Sequence, residues 1–297
     1  MVRPFSAWFF KFELTGVSGN IKISFKLVLI KDKLPMILKY VFLVVFMFPV
    51  LPIIYIEGKI IQYRIKKLSE AKGNSGTAGH AYKRNKSILF IGESTMAGVG
   101  IAEHQEGFAG TLAKELSSRL KIKISWKVNA KSGFTAKQVT RFIVPEIEEN
   151  HYDLIIVGLG GNDAFTIRNP NKWIRHIKEL IAHLNQKFDE APIAFLNLPP
   201  IKEFPAFSPL MKLTLGNLVL ILNEALKKFT SGQSKIYFNP ELIHLEKWIQ
   251  KNEQIKDLKD FFSDGVHPSE LTYQLWAKDF SEFLLLQKEL KNHLIFG

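Results

Sequence analysis

The sequence of 297 residues contains no cysteine. A disulfide framework, a thiolate metal site and a cysteine nucleophile are therefore excluded, and any catalytic chemistry must come from oxygen and imidazole groups. Acidic residues are also few, 28 against 40 lysines and arginines, which leaves a formal net charge of +12. That charge suits nucleic acid or an anionic membrane surface, but no nucleic-acid recognition motif accompanies the lysines, and many of them flank an apolar segment. We therefore expect contact with a membrane and none with nucleic acid.

One long apolar run, Leu34–Ile56, carries a single charged residue, Lys39. A helix needs roughly 20 apolar residues to cross a bilayer, so the run is predicted to be a single-pass transmembrane anchor. Lys39 lies near one end, from which its side chain can reach the headgroups. Pro49 and Pro52 are expected to kink the helix. No cleavage site of small residues follows the run, so it is expected to be retained; a buried core helix is the alternative.

The segments around this run are basic. Residues 59–68 place isoleucines at helical spacing opposite lysines and an arginine, which predicts a helix lying along a headgroup layer. Lysines stand on both sides of the anchor, so the positive-inside rule leaves the side of the C-terminal domain open. Residues 69–79 are small and polar without periodicity and predict a flexible linker. Met36 directly precedes the apolar run and is an alternative start of translation.

The chain is therefore predicted to have four regions. They are an N-terminal extension at 1–33, a transmembrane anchor at 34–56, a basic juxtamembrane helix with a linker at 57–85, and a globular domain at 86–297.

In the globular domain, short apolar runs alternate with longer amphipathic stretches, which is typical of parallel strands buried between helices. The predicted strands are Ser87–Ile91, Ile122–Val128, Leu154–Leu159, Ile193–Leu198 and Lys235–Phe238. The predicted helices are Phe108–Leu120, Ala136–Glu149, Lys172–Phe188, Met211–Phe229 and Ser269–Leu290. This order predicts an α/β fold with a five-stranded, doubly wound parallel sheet, whose ligands bind beyond the carboxyl ends of the strands.

A glycine-rich loop, residues 92–100, follows the first predicted strand. Its glycines allow a tight turn that would leave the hydroxyl of Ser94 unobstructed at the strand end. A phosphate-binding loop is the alternative, but the sequence here lacks both Gly-Lys-Ser/Thr and the Gly-x-Gly-x-x-Gly spacing. Ser94 is therefore favoured as a nucleophile.

Two further polar clusters follow the second and third strands, at residues 129–135 and 160–163. Taken separately, each is typical of a turn or of a helix N-terminus. Acyl transfer, however, creates an oxyanion that needs fixed hydrogen-bond donors, such as an unobstructed backbone N–H and a neutral side-chain amide. Gly133 and Asn162 are candidates for those two donors.

The last cluster, Phe262–Ser269, directly precedes the final predicted helix. A serine hydroxyl is a weak nucleophile until a base takes its proton, and an imidazole base needs a carboxylate to fix its tautomer. Asp264 stands three residues before His267, and Pro268 restricts the histidine to extended geometry. His267 is therefore the candidate base and Asp264 the group that orients it.

These four clusters, in this order over residues 87–270, resemble the SGNH, or GDSL-like, hydrolase family of esterases and lipases. The resemblance implies a three-layer α/β/α fold and catalysis without a metal or cofactor. It also implies that the backbone N–H of Ser94 joins Gly133 and Asn162 in an oxyanion hole, while Asp264 orients His267 as base and then acid.

The sequence departs from the family pattern at one place, with Glu93-Ser94-Thr95 where the family has Asp-Ser-Leu. Because this acidic position supports the loop, we expect altered local hydrogen bonding and retained activity.

The leading hypothesis is a membrane-anchored esterase or lipase that forms an acyl-serine intermediate. One alternative is a deacetylase of cell-envelope carbohydrate, since a fold does not fix a substrate. Another is a non-catalytic, membrane-tethered binding protein, for which Glu93 is the supporting feature. The apolar, proline-rich loop Pro199–Phe207 either lines an acyl pocket or packs on the surface.

Overall fold

The computed structural model describes residues 11–15, 22–26, 34–64, 68–148, 151–189, 191–251 and 257–297. In these ranges the strands are β1 (Lys11–Thr15), β2 (Lys22–Lys26), β3 (Ser75–Ala78), β4 (Asn85–Gly92), β5 (Lys123–Ala130), β6 (Leu154–Gly158), β7 (Ile193–Phe195) and β8 (Ile236–Phe238). The helices are α1 (Met36–Met47), α2 (Leu51–Arg64), α3 (Phe108–Leu120), α4 (Ala136–Gln138), α5 (Gly161–Phe165), α6 (Pro170–Lys187), α7 (Pro209–Thr230), α8 (Leu245–Lys251), α9 (Glu270–Leu286) and α10 (Lys288–Phe296).

The main sheet of the described chain has six strands in the order β3-β5-β4-β6-β7-β8. The five strands β4 to β8 are parallel, and β6 is buried along its whole length. Such strands read as continuous apolar runs because helices cover both faces of the sheet. The predicted α/β fold is thus confirmed.

The strand order decides where a ligand binds. The chain runs from β4 outward to β5 and then crosses to β6 on the other side of β4. Right-handed crossovers therefore put α3 and α6 on opposite faces of the sheet. The crevice between the carboxyl ends of β4 and β6 is the topological switch point, where ligands of such sheets bind.

The predicted flexible linker at residues 69–79 is wrong for its second half, because β3 pairs antiparallel with β5 and adds a sixth strand to the predicted five. The segment consists of small residues with no alternating apolar pattern, so sequence periodicity does not reveal it. At Gly76 a small residue is required, since a Cβ there would stand 2.4 Å from the ring of Trp126.

Two of the predicted helices are also corrected. The helix expected at Ala136–Glu149 is a short α-helix followed by a π-helical turn, Val139–Ile143, and a 3₁₀ turn that contains Pro145. Proline lacks the N–H that a continuing α-helix needs, so regular bonding ends here. The final helix divides at Gln287, whose backbone is extended, into α9 and α10.

The N-terminal apolar segment is helical over Met36–Arg64, with a 3₁₀ turn at Phe48–Val50 where the first proline lies. This helix has 29 residues, and its most apolar window of 18 residues has a mean hydropathy of 2.4, so it is long and apolar enough to cross a membrane, by length and composition only. Helix α7 meets the same criterion, yet 61% of its most apolar window is buried, against 17% for the N-terminal helix.

The N-terminal helix packs against α7 through one face. Lys39 Nζ pairs with Glu224 of α7 at 2.7 Å, so the expected reach of Lys39 toward headgroups is corrected. The Tyr40 hydroxyl donates to a backbone carbonyl at 3.0 Å, and Glu57 accepts a 2.7 Å hydrogen bond from Ser208. The predicted headgroup helix at 59–68 continues α2 as far as Arg64, and its residues 65–67 lie outside the described residues.

Candidate functional site

The glycine-rich loop at residues 92–100, which contains the candidate nucleophile Ser94, begins where β4 ends beside β6; we call it the nucleophile loop. A Cβ on Gly92 would stand 2.1 Å from the carbonyl oxygen of Gly158, so only glycine lets the two strands approach this closely. Beyond it the chain turns tightly, with the N–H of Ala97 donating to Glu93 at 2.9 Å and that of Val99 donating to Ser94 at 3.2 Å. Ser94 is consequently held at the carboxyl edge of the sheet, half-buried.

Glu93 fastens this loop to the third polar cluster. Its two carboxyl oxygens accept the backbone N–H groups of Gly161 at 2.7 Å and Asn162 at 2.9 Å. Burial raises the pKa of Glu93 to about 8, although the two N–H donors act in the opposite direction. Glu93 is thus a structural support for the loop, as expected for this position.

The second and third clusters are joined by two more hydrogen bonds. The Asn162 side-chain amide donates to the carbonyl of Phe134 at 3.0 Å, which uses one of its two hydrogens. Asp163 accepts the N–H of Ala136 at 2.9 Å and caps the first turn of α4. Burial raises the pKa of Asp163.

Gly133 lies in the turn just before α4 with a φ of +82°, in the left-handed region that favours glycine. Among the described residues, no heavy atom lies within 4 Å of the position a Cβ would take there. The side of Gly133 on which a side chain would stand is therefore open.

The last cluster forms a closed turn. His267 Nδ1 lies 2.7 Å from Asp264 Oδ2, and the other oxygen of Asp264 accepts the backbone N–H groups of Val266 at 2.9 Å and His267 at 2.8 Å. Burial alone would raise the pKa of Asp264, but these hydrogen bonds and the imidazole hold it below the ordinary value. The contact favours an ionised aspartate and the tautomer of His267 that carries its proton on Nδ1, in which the opposite ring nitrogen, Nε2, can accept a proton.

The turn that contains Asp264 and His267 lies against the nucleophile loop. The buried Tyr273 of α9 donates its hydroxyl to the carbonyl of Val99 at 3.0 Å. The Ser263 side chain lies so close to Gly100 that a Cβ there would stand 2.9 Å from it. Both contacts hold the segment of His267 against the loop that contains Ser94.

The site residues predicted from the sequence all line one cavity of about 1260 Å³. Its lining includes Ser94, Gly133, Asn162, Asp264 and His267. These residues come from four separate segments, and the carboxyl edge of the sheet brings all of them to one surface.

The structure adds residues that sequence reasoning missed. Glu70, from the predicted linker, accepts the N–H of Ser132 at 2.8 Å and pairs with Lys131 at 3.1 Å. Nothing in its sequence neighbourhood indicates this contact. Helix α2 also lines the cavity. The sequence indicates this face by apolar or small residues at helical spacing, namely Leu51, Ile54, Gly58 and Ile61.

Known proteins agree with this architecture. The GDSL-like Lipase/Acylhydrolase family matches residues 90–275, well over half of the chain. No curated protein matches the sequence. Among solved structures, the lipase Lip_vut3 from a goat rumen metagenome is 19% identical with a TM-score of 0.50, over 66% of this chain and 96% of its own.

Two other solved structures also match this chain. A member of the lipolytic protein G-D-S-L family from Veillonella parvula DSM 2008 is 16% identical with a TM-score of 0.47, over 67% of this chain and 96% of its own. A family two carbohydrate esterase from Clostridium thermocellum, in complex with cellohexaose, is 18% identical with a TM-score of 0.45, over 69% of this chain and 65% of its own.

The family match is the decisive comparison, because it runs from β4 into α9 and so includes all four clusters. The chain belongs to the GDSL-like lipase/acylhydrolase family, whose members are hydrolases that act on esters.

Proposed function

We propose that the protein is a membrane-anchored serine esterase or lipase that hydrolyses carboxylic esters through an acyl-serine intermediate. The observation that carries the proposal is the single cavity lined by Ser94, Gly133, Asn162, Asp264 and His267, in which the imidazole is already fixed by its 2.7 Å contact with the aspartate.

The proposed reaction has two halves. In the first, His267 Nε2 takes the proton of the Ser94 hydroxyl while the serine oxygen attacks the ester carbonyl. The oxyanion is stabilised by the backbone N–H groups of Ser94 and Gly133 and by the second amide hydrogen of Asn162. His267 then returns the proton to the leaving alcohol as the ester bond breaks. In the second half, His267 takes a proton from water while the water oxygen attacks the acyl-serine, and it returns that proton to the Ser94 oxygen as the acyl–oxygen bond breaks and the carboxylic acid is released.

Membrane attachment is proposed through the outer face of helix Met36–Arg64. Large apolar side chains on that face are exposed, including Val45 at 65% and Phe48 at 75%. The bonds of Lys39, Tyr40 and Glu57 to the domain favour a helix that stays against the domain and meets lipid with its outer face. A helix that left the domain to cross the bilayer would lose these three contacts.

A fluorophosphonate probe tests the nucleophile, because it forms a stable bond only with an activated serine. We expect the wild-type protein to be labelled, and Ser94→Ala and His267→Ala to lose labelling. Ser132→Ala is the matched control, since Ser132 lines the same cavity without an assigned role. Labelling of Ser94→Ala at the wild-type level, or an unlabelled wild-type protein, would show that the nucleophile is assigned wrongly.

A further inference from the structure

The apolar N-terminal helix forms part of the cavity wall. Leu51, Ile54, Gly58 and Ile61 of α2 all line the cavity that contains Ser94. Their spacing of three, four and three residues places them on one face of the helix. Ile54 is buried, whereas Ile53 and Ile56 on the other side of the helix are half exposed or more. The same helix therefore has one apolar face toward the cavity and another toward the surroundings.

The domain contributes apolar residues to the same cavity. They are Phe204 and Phe207, from the proline-rich loop after β7, and Met211 and Leu215 at the start of α7. The two phenylalanine rings pack edge to face at 5.3 Å, which fixes their orientation. We call the part of the cavity that these residues and the apolar face of α2 line the apolar slot; Ser94 lines the same cavity.

The size of the cavity helps to identify the occupant. Pockets of roughly 300 to 1,000 Å³ enclose drug-sized ligands, and the volume of about 1260 Å³ here is larger than an acetyl group requires. Lys59 and Gln62 are polar residues that α2 adds to the lining, whereas Leu51, Ile54, Gly58 and Ile61 and the four residues of the domain carry no charge. This apolar part of the lining favours a hydrocarbon chain over a sugar, since sugar hydroxyls would lose hydrogen bonds to water there.

We propose that this slot between α2 and the domain binds the long acyl chain of a lipid ester, so that the N-terminal helix determines acyl specificity as well as attachment. The inference rests on the proposed esterase function. The chain would lie along Ile54, Gly58 and Ile61 on one side and Phe204 and Phe207 on the other, with its carbonyl carbon at Ser94. During the reaction it would remain in the slot as the acyl-serine until water releases it as a fatty acid.

Gly58 offers a way to block the slot selectively. Apart from the neighbouring residues and the backbone of the same helix, no heavy atom of the described residues lies within 4 Å of the position a Cβ would take at Gly58, so a side chain there has room to extend. Gly58→Trp would place a large ring in the slot. Ile53→Trp is the matched control, because it adds the same ring to the outer face of the same helix, where residue 53 is 50% exposed.

The test uses the full-length protein in detergent with p-nitrophenyl esters from acetate to palmitate. In the wild type, kcat/KM should rise with acyl length, by roughly two- to fourfold per added methylene over the first members. We expect Gly58→Trp to lower the ratio of kcat/KM for dodecanoate over acetate by at least about tenfold. Ile53→Trp should leave that ratio within about twofold. If Gly58→Trp does not fold, Ile61→Trp replaces it with the same expectation.

The outcomes separate this inference from the esterase proposal. A wild-type preference for acetate, an unchanged ratio in the blocked variant, or an equal loss for all acyl lengths would overturn the acyl slot while the esterase stands. If the wild type hydrolyses no ester and Ser94 takes up no fluorophosphonate, the esterase proposal fails and the slot assignment fails with it.

Discussion

Glu93 connects the nucleophile loop to the neighbouring loop by accepting the N–H groups of Gly161 and Asn162. The side chain is 4% exposed, so its charged form is poorly solvated, and burial raises its pKa to about 8. The residue that departs from the family pattern is therefore also a buried acid whose ionisation is linked to folding.

This linkage predicts a dependence of stability on pH. The unfolded carboxyl loses its proton near its ordinary pKa of 4.5, whereas the folded one keeps it to about 8. Between these values the folded state binds more protons, so the contribution of Glu93 to stability should fall as pH rises and should level off above about 8. Glu93→Gln cannot ionise and should lack this decline.

Urea unfolding from about pH 5 to about pH 9 measures the effect as the difference between wild type and Glu93→Gln. This difference cancels the contributions of the other titrating groups. Glu106→Gln is a suitable control, because it removes an exposed carboxyl and keeps Glu93, and its stability should decline with pH as that of the wild type does. Parallel curves for wild type and Glu93→Gln would mean that Glu93 titrates in the folded protein as it does in water.

Residues of the site were predictable where they follow a recognisable strand or precede a helix. Ser94, Gly133 and Asn162 each stand at the end of an apolar run, and the Asp264-to-His267 spacing closes one turn. Glu70 was not predictable, because its contact with Ser132 joins positions 62 residues apart. Local patterns do not contain such pairings.

Among the elements, predictability follows the strength of the periodic pattern. Helix α3 was predicted with the bounds it has, and β4 and β6 within three residues of theirs, because continuous apolar runs and amphipathic stretches are strong signals. Strand β3 was missed because its residues are small, and its existence depends on pairing with β5. The N-terminal helix was recognised as apolar, but its composition could not reveal which face packs on α7.

The exposed outer face of the N-terminal helix allows a prediction about membrane binding. The double variant Val45→Asp/Phe48→Asp puts two charges among exposed apolar side chains and away from α7. Charged groups are strongly disfavoured in the apolar part of a bilayer, so binding to phosphatidylcholine and phosphatidylglycerol vesicles should fall by about tenfold or more.

Co-flotation with vesicles measures the bound fraction. Leu286→Asp is the control, since Leu286 is 77% exposed at the end of α9, outside the N-terminal helix, and should leave binding unchanged. Vesicle binding of the double variant at the wild-type level would show that the outer face of the helix does not contact lipid.

In the whole molecule, the carboxyl ends and the amino ends of the strands, which form the carboxyl and the amino edge of the sheet, have different roles. The carboxyl edge carries the site, whereas the amino edge carries a buried ion pair between Lys86 of β4 and Asp153, 2.7 Å apart and at most 9% exposed. Lys86 also donates to the carbonyl of Gly297, and Asp153 accepts the N–H of Ser87. The pair thus joins the two central strands to the C-terminus, far along the sheet from Ser94.

This separation predicts that the ion pair can be broken with a loss of stability and little loss of chemistry. Lys86→Met leaves Asp153 buried without its cation, for which we expect unfolding to become easier by about 3–5 kcal/mol. Lys114→Met, which breaks an exposed pair with Glu106, should change stability by about 1 kcal/mol or less. Urea unfolding gives both numbers, and acetate ester hydrolysis well below the melting temperature should stay within about twofold of wild type in each variant. A loss of activity in Lys86→Met that exceeds its loss of folded protein would mean that the amino edge of the sheet influences the geometry at the carboxyl edge.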